Sequence, residues 1–582
     1  MKHQIRKLAN TLCDDFSNFP LGQAIRILIR RLKAAYSEFI KSVDSTDRIT
    51  HVKFQRLGSR ARSLRTELVT ELSWSILMSV KHPNIKTLTI AMKSCFDQLL
   101  PSDEFLIGIS PAEELLCRDL LTDFKKQAAK RSLQFKVIII ESEADFTNQL
   151  AEVAKNRFLL LVDQNAWIRP DLLYRYHQYL LSKRSLDLIL YCDETQMDGA
   201  GNLLSDFNLE KPECFPYPFL FSNLIGACLS IPKPGWTSVG GLRSQFEIYS
   251  QFDLCLRLEH AGFILSGIPL CMYAREYGPQ IETSPALGIQ VLNEYFSCKG
   301  YSTLFSTGMT RSSFRPILER NSNVGVVIVV PFHNEIAMTL RCLKRLHELK
   351  SEQKTHIILV NNRSAPDHDL APLRALADQW VEADFAFNYS KINNLAVKNC
   401  SVPSSEFPNV LFLNNDVILE TGSLSEMVSW LSFEKVGIVG ARLFYPNGLI
   451  QHGGIVYCRD SSLEENRWLH IDLKKSRADA RFSSTILVSD AVTAACAMMR
   501  RTDFERIEGF DEVQYPIAYS DTDLCSRIRK NLSKVCLMTP YAEGIHHESL
   551  SRGKNDVEDY ESSGWLTQHL GLALPSVTLR YP

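Results

Sequence analysis

The 582-residue sequence lacks long hydrophobic runs, paired cysteines and an excess of charge of either sign. Its longest apolar runs, such as residues 326–332, are the length of a strand, whereas a membrane-spanning helix needs about 20 residues. The N-terminus, MKHQIRKLANTLCDD, contains no apolar segment typical of a secretory signal. The fifteen cysteines include no Cys-x-x-Cys pair, which argues against a zinc site and against a disulfide framework. We therefore expect a cytoplasmic protein whose cysteines are mostly small buried hydrophobic residues.

The charge is balanced overall but not along the chain. Lys and Arg (65) nearly equal Asp and Glu (66), which argues against a basic nucleic-acid-binding protein. Residues 1–66, however, carry fourteen Lys or Arg and five Asp or Glu, a net charge of +9. Within this basic arm, residues 21–41 show helical spacing of apolar side chains with Arg and Lys among them. Such a helix either lies on an anionic membrane face or a partner, or packs on its own protein with a solvated basic side; both interpretations stay open.

Short β-rich runs alternate with helical stretches twice along the chain. The first series is FLIGI, FKVIII, RFLLLV and LDLILYC, and the second, after the polar residues 311–323, is VGVVIVV, HIILV, NVLFL and VGIVG. Strands separated by helices are typical of βαβ units in a mostly parallel sheet. We therefore predict an α/β protein with a mainly helical N-terminal region at residues 1–100, one α/β domain at 101–310 and a second at 321–582.

An internal repeat relates the two series. Three pairs of segments align without gaps and in the same order: 226–242 with 494–510, 249–258 with 519–528, and 159–168 with 410–419. Chance resemblance on this scale is improbable, so the sequence predicts two copies of one fold.

The two copies differ at two positions where the second copy has an aspartate and the first has an amide. Asp521 of the second copy aligns with Gln251 of the first, and Asp416 aligns with Asn165. An amide still forms hydrogen bonds, but it cannot act as a base or hold a divalent cation strongly. We expect that only the C-terminal copy is active, while drift at two surface loops is the plainer alternative.

The acids of the second copy follow a predicted strand. The triplet Asn414-Asn415-Asp416 comes directly after residues 410–413, which places it at a carboxyl end of the sheet, where open α/β sheets bind ligands. Its oxygen atoms suit Mg²⁺ or Mn²⁺. Asn and Asp are also common in ordinary turns, so the triplet alone does not establish a metal site.

Two further acids and two histidines complete the set. Asp521 and Asp523 open a predicted helix, where Asp serves as a cap. Because Asp253 keeps the place of Asp523 in the first copy, we assign capping to Asp523 and leave Asp521 as a general base. Of the adjacent histidines His546 and His547, one can reach a metal while the other orients it. Arg552, in the run Ser-Arg-Gly-Lys, offers a cation for a diphosphate.

With these residues in hand, the C-terminal half resembles a family-2 nucleotide-sugar glycosyltransferase of the GT-A fold, in the branch of rhamnosyltransferases and other bacterial surface-polysaccharide enzymes. The matching motifs run in family order over about residues 320–555: VVIVVPFHNE, ILVNNRS, FNYSKINNLA, LFLNNDV, IQHGGIVY, GFDE, YSDTDLCSR and HHESLSRG. The first half resembles a degenerate copy of the same family, through DLILYCDETQMDGAGNLLSDFNLEKPE and NLIGACLSI.

The resemblance implies roles for individual residues. Asp521 would be the catalytic base, and Asp416 the metal ligand, with His546 completing the metal site and His547 as the alternative. Asn414 stands where the family has the first acid of its metal motif. The donor-binding set comprises Pro331, Glu335, Asn361, Asn394, Asn414 and Asn415. The residues that orient the metal ligands or contact the diphosphate are Asp523, His547 and Arg552.

The function implied is transfer of a sugar, with inversion, from a nucleoside-diphosphate sugar to a hydroxyl of a growing surface glycan such as O-antigen or capsule. The cofactor would be Mn²⁺ or Mg²⁺. The partners would be the donor and a glycan acceptor, free or lipid-linked, with residues 21–41 available for peripheral contact with the cytoplasmic membrane face and oligomerisation left open. Two alternatives are a bifunctional enzyme with both copies active and a glycan- or nucleotide-binding scaffold without turnover.

Overall fold

A computed structural model describes most of the chain beyond the basic arm. The described residues are 61–62, 64–65, 72–141, 146–198, 203–209, 211, 221–276, 285–310, 313–460, 465–480 and 482–547. The predicted amphipathic helix at 21–41 and the predicted diphosphate contact Arg552 lie outside these ranges.

The first half alternates strands and helices as the sequence predicts. Its elements are β1 (Trp74–Val80), α1 (Ile85–Phe96), β2 (Glu104–Ile109), α2 (Pro111–Lys130), β3 (Gln134–Ile139), α3 (Phe146–Val153), β4 (Phe158–Val162), β5 (Ala166–Ile168), α4 (Leu172–Lys183), β6 (Leu188–Met197), β7 (Leu203–Leu209), β8 (Cys228–Pro232), α5 (Lys233–Ser238), a 3₁₀ helix (Ser244–Tyr249), α6 (Ser250–His260), β9 (Ile264–Glu276) and α7 (Pro285–Cys298). A hairpin of β10 (Leu304–Thr307) and β11 (Phe314–Ile317) leads to the second half.

The second half repeats the alternation. Its elements are β12 (Val326–Phe332), α8 (Ile336–Leu349), β13 (Thr355–Asn361), α9 (Ala371–Arg374), β14 (Gln379–Glu382), α10 (Tyr389–Lys398), β15 (Asn409–Leu413), β16 (Val417–Leu419), α11 (Ser423–Leu431), β17 (Val436–Phe444), β18 (Ile450–His452), β19 (Ile455–Asp460), β20 (Glu465–His470), β21 (Leu487–Ser489), β22 (Cys496–Arg500), α12 (Arg501–Arg506), α13 (Ser520–Leu532) and β23 (Val535–His546).

The two halves have the same sheet topology. Among the described residues the first sheet runs β3-β2-β1-β4-β8-β6-β9-β5, and the second runs β14-β13-β12-β15-β22-β17-β23-β16. Corresponding neighbours also pair in the same sense: both sheets are mixed, with β8 and β22 antiparallel to their neighbours. The prediction of two copies of one α/β fold is therefore confirmed.

The aligned segments coincide with the same elements in each copy. Residues 228–232 and 496–500 are β8 and β22, and the helices α5 and α12 follow each of them directly. The strands β4 and β15 likewise precede β5 and β16 at the same spacing. Sequence alignment of the copies thus predicted the three-dimensional correspondence.

The predicted helical region at residues 1–100 is wrong over Trp74–Val80. This segment is strand β1, which pairs in parallel with β2 and β4 inside the first sheet. Six of its seven residues are buried. A central strand covered on both faces has a short continuous apolar run, which periodicity alone does not separate from a buried helix. A domain boundary at residue 101 would therefore divide the first sheet.

Apolar side chains from both copies meet in one core. The rings of Phe221 and Trp430, one from each half, pack edge to face with centroids 5.9 Å apart. On β11, Phe314 stacks on Phe252 of the first copy, while its neighbour Arg315 pairs with Glu426 of the second copy at 2.8 Å. The hairpin between the copies is therefore packed against both. Within the described ranges, no helix combines the length and hydropathy that crossing a bilayer requires.

Candidate active site

The turn after β15 holds the predicted metal-binding triplet at the carboxyl edge of the second sheet. The backbone N–H of Asn414 donates to the carbonyl of Ala495 at 3.0 Å, and the N–H of Val417 donates to Asn414 at 3.2 Å. The amide of Asn415 donates to the hydroxyl of Thr339 on α8 at 2.9 Å, which ties the turn to that helix. Asp416 is only 3% exposed. The carboxylate is thus held on a short turn braced from two sides.

Asp416 and His546 lie together. Strand β16 pairs with β23 so that Val417 faces His546, and Oδ1 of Asp416 lies 3.2 Å from Nε2 of His546. The side-chain amide of Asn414 is 3.4 Å from the same nitrogen. His546 Nδ1 lies 2.6 Å from Oε1 of Gln451 on β18. The sequence separation of 130 residues between the carboxylate and the imidazole is bridged by one β-pairing.

His547, the alternative metal ligand, takes part through its backbone. Its N–H donates to the carbonyl of Asp416 at 3.0 Å, which continues the β-ladder by one residue. The pairing therefore fixes His547 beside Asp416 while the side chain that approaches the carboxylate is that of His546.

The donor set fits a divalent cation held by few protein groups. A carboxylate oxygen and an imidazole nitrogen that converge on one point are suitable ligands for Mn²⁺, and Mg²⁺ or Mn²⁺ sites of this kind take further oxygens from substrate phosphates and water. No group of three or more His, Cys, Asp or Glu side chains suited to a metal occurs in the described part of the chain. The protein would therefore supply Asp416 and His546, and the substrate the remaining oxygens.

Asp521 and the triplet contact two neighbouring residues, Ala494 and Ala495. Asp521 begins the first turn of α13, directly after Ser520, and its Oδ1 accepts from the N–H of Thr522 at 2.8 Å. Its Oδ2 is 3.4 Å from the N–H of Ala494, whereas the carbonyl of Ala495 binds Asn414. The residue is half-buried. This placement is compatible with a general base beside the cation site.

The nucleoside candidates stand at the same sheet edge. Pro331 and Asn361 come from the ends of the adjacent parallel strands β12 and β13. Glu335 is exposed at the start of α8 with φ 35°, a left-handed conformation. Asn361 is buried, and its amide donates to Glu382 at 2.8 Å while its oxygen accepts from the N–H of Ser364 at 3.1 Å. Both polar atoms of Asn361 thus hold neighbouring protein groups.

Asn394 and Asp523 brace the loop before α13. Asn394 donates to the carbonyl of Phe510 at 2.8 Å and accepts from its N–H at 2.9 Å. Asp523 pairs with Arg527 at 2.6 Å, and that guanidinium also donates to the carbonyl of Gly509. Burial raises the pKa of Asp523, against the effect of Arg527.

The first copy contains the same brace. Asn148 contacts both backbone polar groups of Leu242, and Arg257 bridges Asp253 and the carbonyl of Gly241. Because a copy without counterparts of the proposed metal ligand and base keeps this arrangement, we assign Asn394 and Asp523 to the architecture of the loop. The capping role assigned to Asp523 from the sequence is wrong, because no side chain caps α13 and the carboxylate instead pairs with Arg527 one turn along the helix.

At the corresponding edge of the first copy the charges differ. Arg275 on β9 faces Ala166, the register position that His546 occupies opposite Val417. Its guanidinium pairs with Glu194 at 2.5 Å, and Lys211 pairs with the same carboxylate at 3.0 Å. Burial opposes ionisation of Glu194, but Lys211 and Arg275 together lower its pKa to about 2. A fixed ion network therefore replaces the carboxylate–imidazole pair.

Sequence reasoning gave no role to Gln451, His452 or Arg275. His452 is buried, and its Nδ1 lies 3.1 Å from Nδ1 of His470. Burial, with smaller effects from His470 and His546, holds the pKa of His452 well below the usual histidine value. The only sequence signal was the IQHGG motif, which marks the segment without indicating which residues it contacts.

Known proteins resemble both the second copy and a larger part of the chain. Residues 327–507 match the model of the family described as Glycosyl transferase family 2. The O-antigen biosynthesis protein RfbC of Myxococcus xanthus is 29% identical over 464 residues, covering 76% of this chain and 35% of RfbC. The uncharacterized protein y4gI of Sinorhizobium fredii (strain NBRC 101917 / NGR234) is 25% identical over 438 residues, covering 71% of this chain and 46% of y4gI.

The chain spans less than half the length of either of these curated relatives. A solved structure that it resembles is the mannosyltransferase PcManGT from Pyrobaculum calidifontis in complex with GDP-Man and Mn²⁺. That likeness covers 45% of this chain and 75% of the mannosyltransferase, at 16% identity and a TM-score of 0.29, which is too low to support an inference.

Proposed function

We propose that this chain is an inverting, metal-dependent glycosyltransferase that moves a sugar from a nucleoside-diphosphate sugar to a hydroxyl of a growing surface glycan. The observation that carries the proposal is the convergence of Asp416 and His546 at 3.2 Å, with Asp521 across the Ala494–Ala495 segment, at the carboxyl edge of the second sheet. The family match of residues 327–507 supports the reaction class. The name of RfbC supports a surface polysaccharide such as O-antigen as the product.

Each residue of the site has its own proposed role in the reaction. Asp416 and His546 would hold the cation, and Pro331, Glu335 and Asn361 stand at the edge where the nucleoside would lie. When bound, the cation would supply Lewis-acid stabilisation of the negative charge that develops on the leaving diphosphate. Asp521 removes the proton of the acceptor hydroxyl as its oxygen bonds to the anomeric carbon from the face opposite the diphosphate. The bond to the diphosphate breaks in the same displacement, so the configuration inverts.

The first copy is proposed to be non-catalytic. It has Asn165 in place of Asp416, Gln251 in place of Asp521 and Arg275 in place of His546. An arginine is charged at any physiological pH and disfavours a divalent cation at that position. The copy would instead support the catalytic half and shape the path of the acceptor. The amphipathic segment at residues 21–41 of the basic arm is proposed to contact an anionic membrane face, where a lipid-linked acceptor would be found.

A thermal-shift screen of the full chain against UDP, dTDP, GDP and CMP, each with and without Mn²⁺, tests the proposal. A ligand present at about 100 times its Kd should add about 2.7 kcal/mol to the stability of the folded state. We expect one nucleotide to stabilise the protein in a cation-dependent manner, and the effect to disappear in Asp416→Ala.

The controls separate the competing functions. Asp163→Ala, at an exposed carboxylate of the first copy, should leave the nucleotide response intact. Stabilisation that survives in Asp416→Ala would place donor binding elsewhere, as a bifunctional enzyme requires. No response to any nucleotide would contradict the transferase and favour a glycan-binding scaffold.

A further inference from the structure

Strand β18 brings a buried glutamine against the imidazole of His546. Gln451 is 8% exposed, and its Oε1 lies 2.6 Å from Nδ1 of His546. The other ring nitrogen, Nε2, lies 3.2 Å from the carboxylate of Asp416. The imidazole is thus held on one side by an amide and presents its opposite side to the carboxylate.

The chemistry of an amide oxygen decides which ring nitrogen carries the proton. An amide oxygen can only accept a hydrogen bond, so Nδ1 of His546 carries the proton and donates to Gln451. In the neutral ring, the lone pair is then on Nε2, the nitrogen that faces Asp416. Without such an acceptor the neutral ring could place its proton on Nε2 and lose the ability to bind a cation there.

The backbone around Gln451 holds it in place. The N–H of Ile450 donates to the carbonyl of Lys475 at 2.9 Å, and the N–H of Lys474 donates back to Ile450 at 2.7 Å. On the other edge, β18 pairs with β17. The next residues leave little space, because a Cβ on Gly453 would lie 2.5 Å from the Cβ of Ser483. The amide therefore sits on a segment fixed from both sides.

We propose that Gln451 is a positioning residue of the cation site, which sets the tautomer and the orientation of His546 so that Nε2 and Asp416 bind the divalent cation together. The proposal rests on the proposed function, since it assigns Gln451 to the same site. Hydrogen-bond partners of metal-binding histidines typically account for 10–100-fold in metal affinity.

The test is the affinity of the full chain for Mn²⁺ alone, measured by the loss of the electron paramagnetic resonance signal of free Mn²⁺. Gln451→Leu removes the acceptor at similar size and should weaken binding by about 10–100-fold. Gln451→Glu keeps an oxygen acceptor opposite Nδ1 and should restore the affinity to within a few-fold of the wild type. Gln379→Leu, at a glutamine on β14 that bonds to Ser401 and Asn399, is the matched control and should not change it. Thermal unfolding verifies that each variant is folded.

The outcomes separate this proposal from the proposed function. Wild-type affinity in Gln451→Leu, with binding lost in Asp416→Ala, would overturn the role of Gln451 and leave the cation site standing. Equal weakening in Gln451→Leu and Gln451→Glu would also overturn it, because shape rather than the acceptor would then matter. If the wild type binds no Mn²⁺ with or without nucleotide, the cation site of the proposed function is wrong, and the role of Gln451 is wrong with it.

Discussion

The two copies share their framework and differ at the edge where ligands would bind. Both sheets have the same strand order, and in both an arginine bridges an aspartate in the first turn of a helix to a glycine carbonyl. Three of the differences lie at the edge of the sheet, where Asp416, Asp521 and His546 of the second copy stand opposite Asn165, Gln251 and Arg275. The comparison distinguishes residues that stabilise the fold from residues that are proposed to take part in binding and catalysis.

The replacement of His546 by Arg275 changes the electrostatics of the whole edge. In the second copy a carboxylate and an imidazole face each other, and a cation can join them. In the first copy, Arg275 and Lys211 neutralise the buried carboxylate of Glu194 and need no ion. The first copy therefore stabilises its buried carboxylate with cations of its own, whereas the second copy is proposed to use a bound cation.

The largest effect is expected when the residues at the position of the proposed base, Asp521 and Gln251, are exchanged between the copies. Asp521→Asn should lower the transfer rate by about 10²–10⁴-fold, the usual contribution of general base catalysis, with nucleotide binding nearly unchanged. Gln251→Asp, the reverse change in the first copy, should restore none of the lost activity when combined with it. Radiolabelled sugar transfer to acceptor provides the measurement. Wild-type rates in Asp521→Asn would remove its assignment as base.

The next largest effect concerns the shared arginine brace. Arg527→Leu leaves the buried Asp523 without its partner and should cost about 3–5 kcal/mol at neutral pH. Arg257→Leu in the first copy should cost less, because Arg243 still pairs with Asp253. Equal losses in urea unfolding of the two variants would contradict this difference.

The pH dependence of Arg527→Leu has a defined sign. Burial already raises the pKa of Asp523 above its value in the unfolded chain, and removing the guanidinium raises it further. The folded state then binds more protons than the unfolded state, so stability falls as pH rises through the interval between the two pKa values. We expect the destabilisation to be smaller at pH 5 than at pH 7.5, relative to wild type measured at each pH.

An acid titration tests the ion network around Glu194 in the first copy. The pKa of Glu194 is about 2 against an ordinary value of 4.5, so its contribution of about 3 kcal/mol is present above about pH 4.5 and is lost as the pH falls toward 2. Glu194→Gln should flatten the pH dependence of stability in this window. Stability is measured by urea unfolding at several pH values across this window. A pH dependence in Glu194→Gln equal to that of the wild type would contradict the contribution of the network.

The smallest expected effect is at the paired glycines of the brace. Gly241 and Gly509 have φ of 71° and 70°, and a Cβ on either would lie 2.4 or 2.5 Å from the side-chain oxygen of Asn148 or Asn394. Alanine at each should therefore cost about 2 kcal/mol. Gly422→Ala, where φ is 83° but a Cβ meets nothing within 4 Å, should show the backbone strain alone, about 1 kcal/mol. Unequal losses at Gly241 and Gly509 would show that the two braces are not equivalent.

The sequence predicted the fold better than it predicted the site. Repeated alternation and gap-free alignment were sufficient for two copies of one fold, because strand and helix periodicity are local signals. Strand β1 was missed because burial on both faces removes its alternation. At the site, the approach of Asp416 to His546 followed from family order. Gln451 and Arg275 were not recognised, because their partners His546 and Glu194 lie 95 and 81 residues away in sequence. Asn361 and Asn394 were expected in a ligand pocket, yet their polar atoms bind protein groups that only the folded chain brings near.

The hairpin between the copies ties each half of the molecule to the other. Neighbouring side chains of β11 are anchored in opposite halves, Phe314 against Phe252 and Arg315 against Glu426. Deleting the first copy would uncover the apolar surface around Trp430 that Phe221 now covers. Each half therefore buries apolar surface of the other, which gives the first copy a structural contribution that requires no catalytic residues.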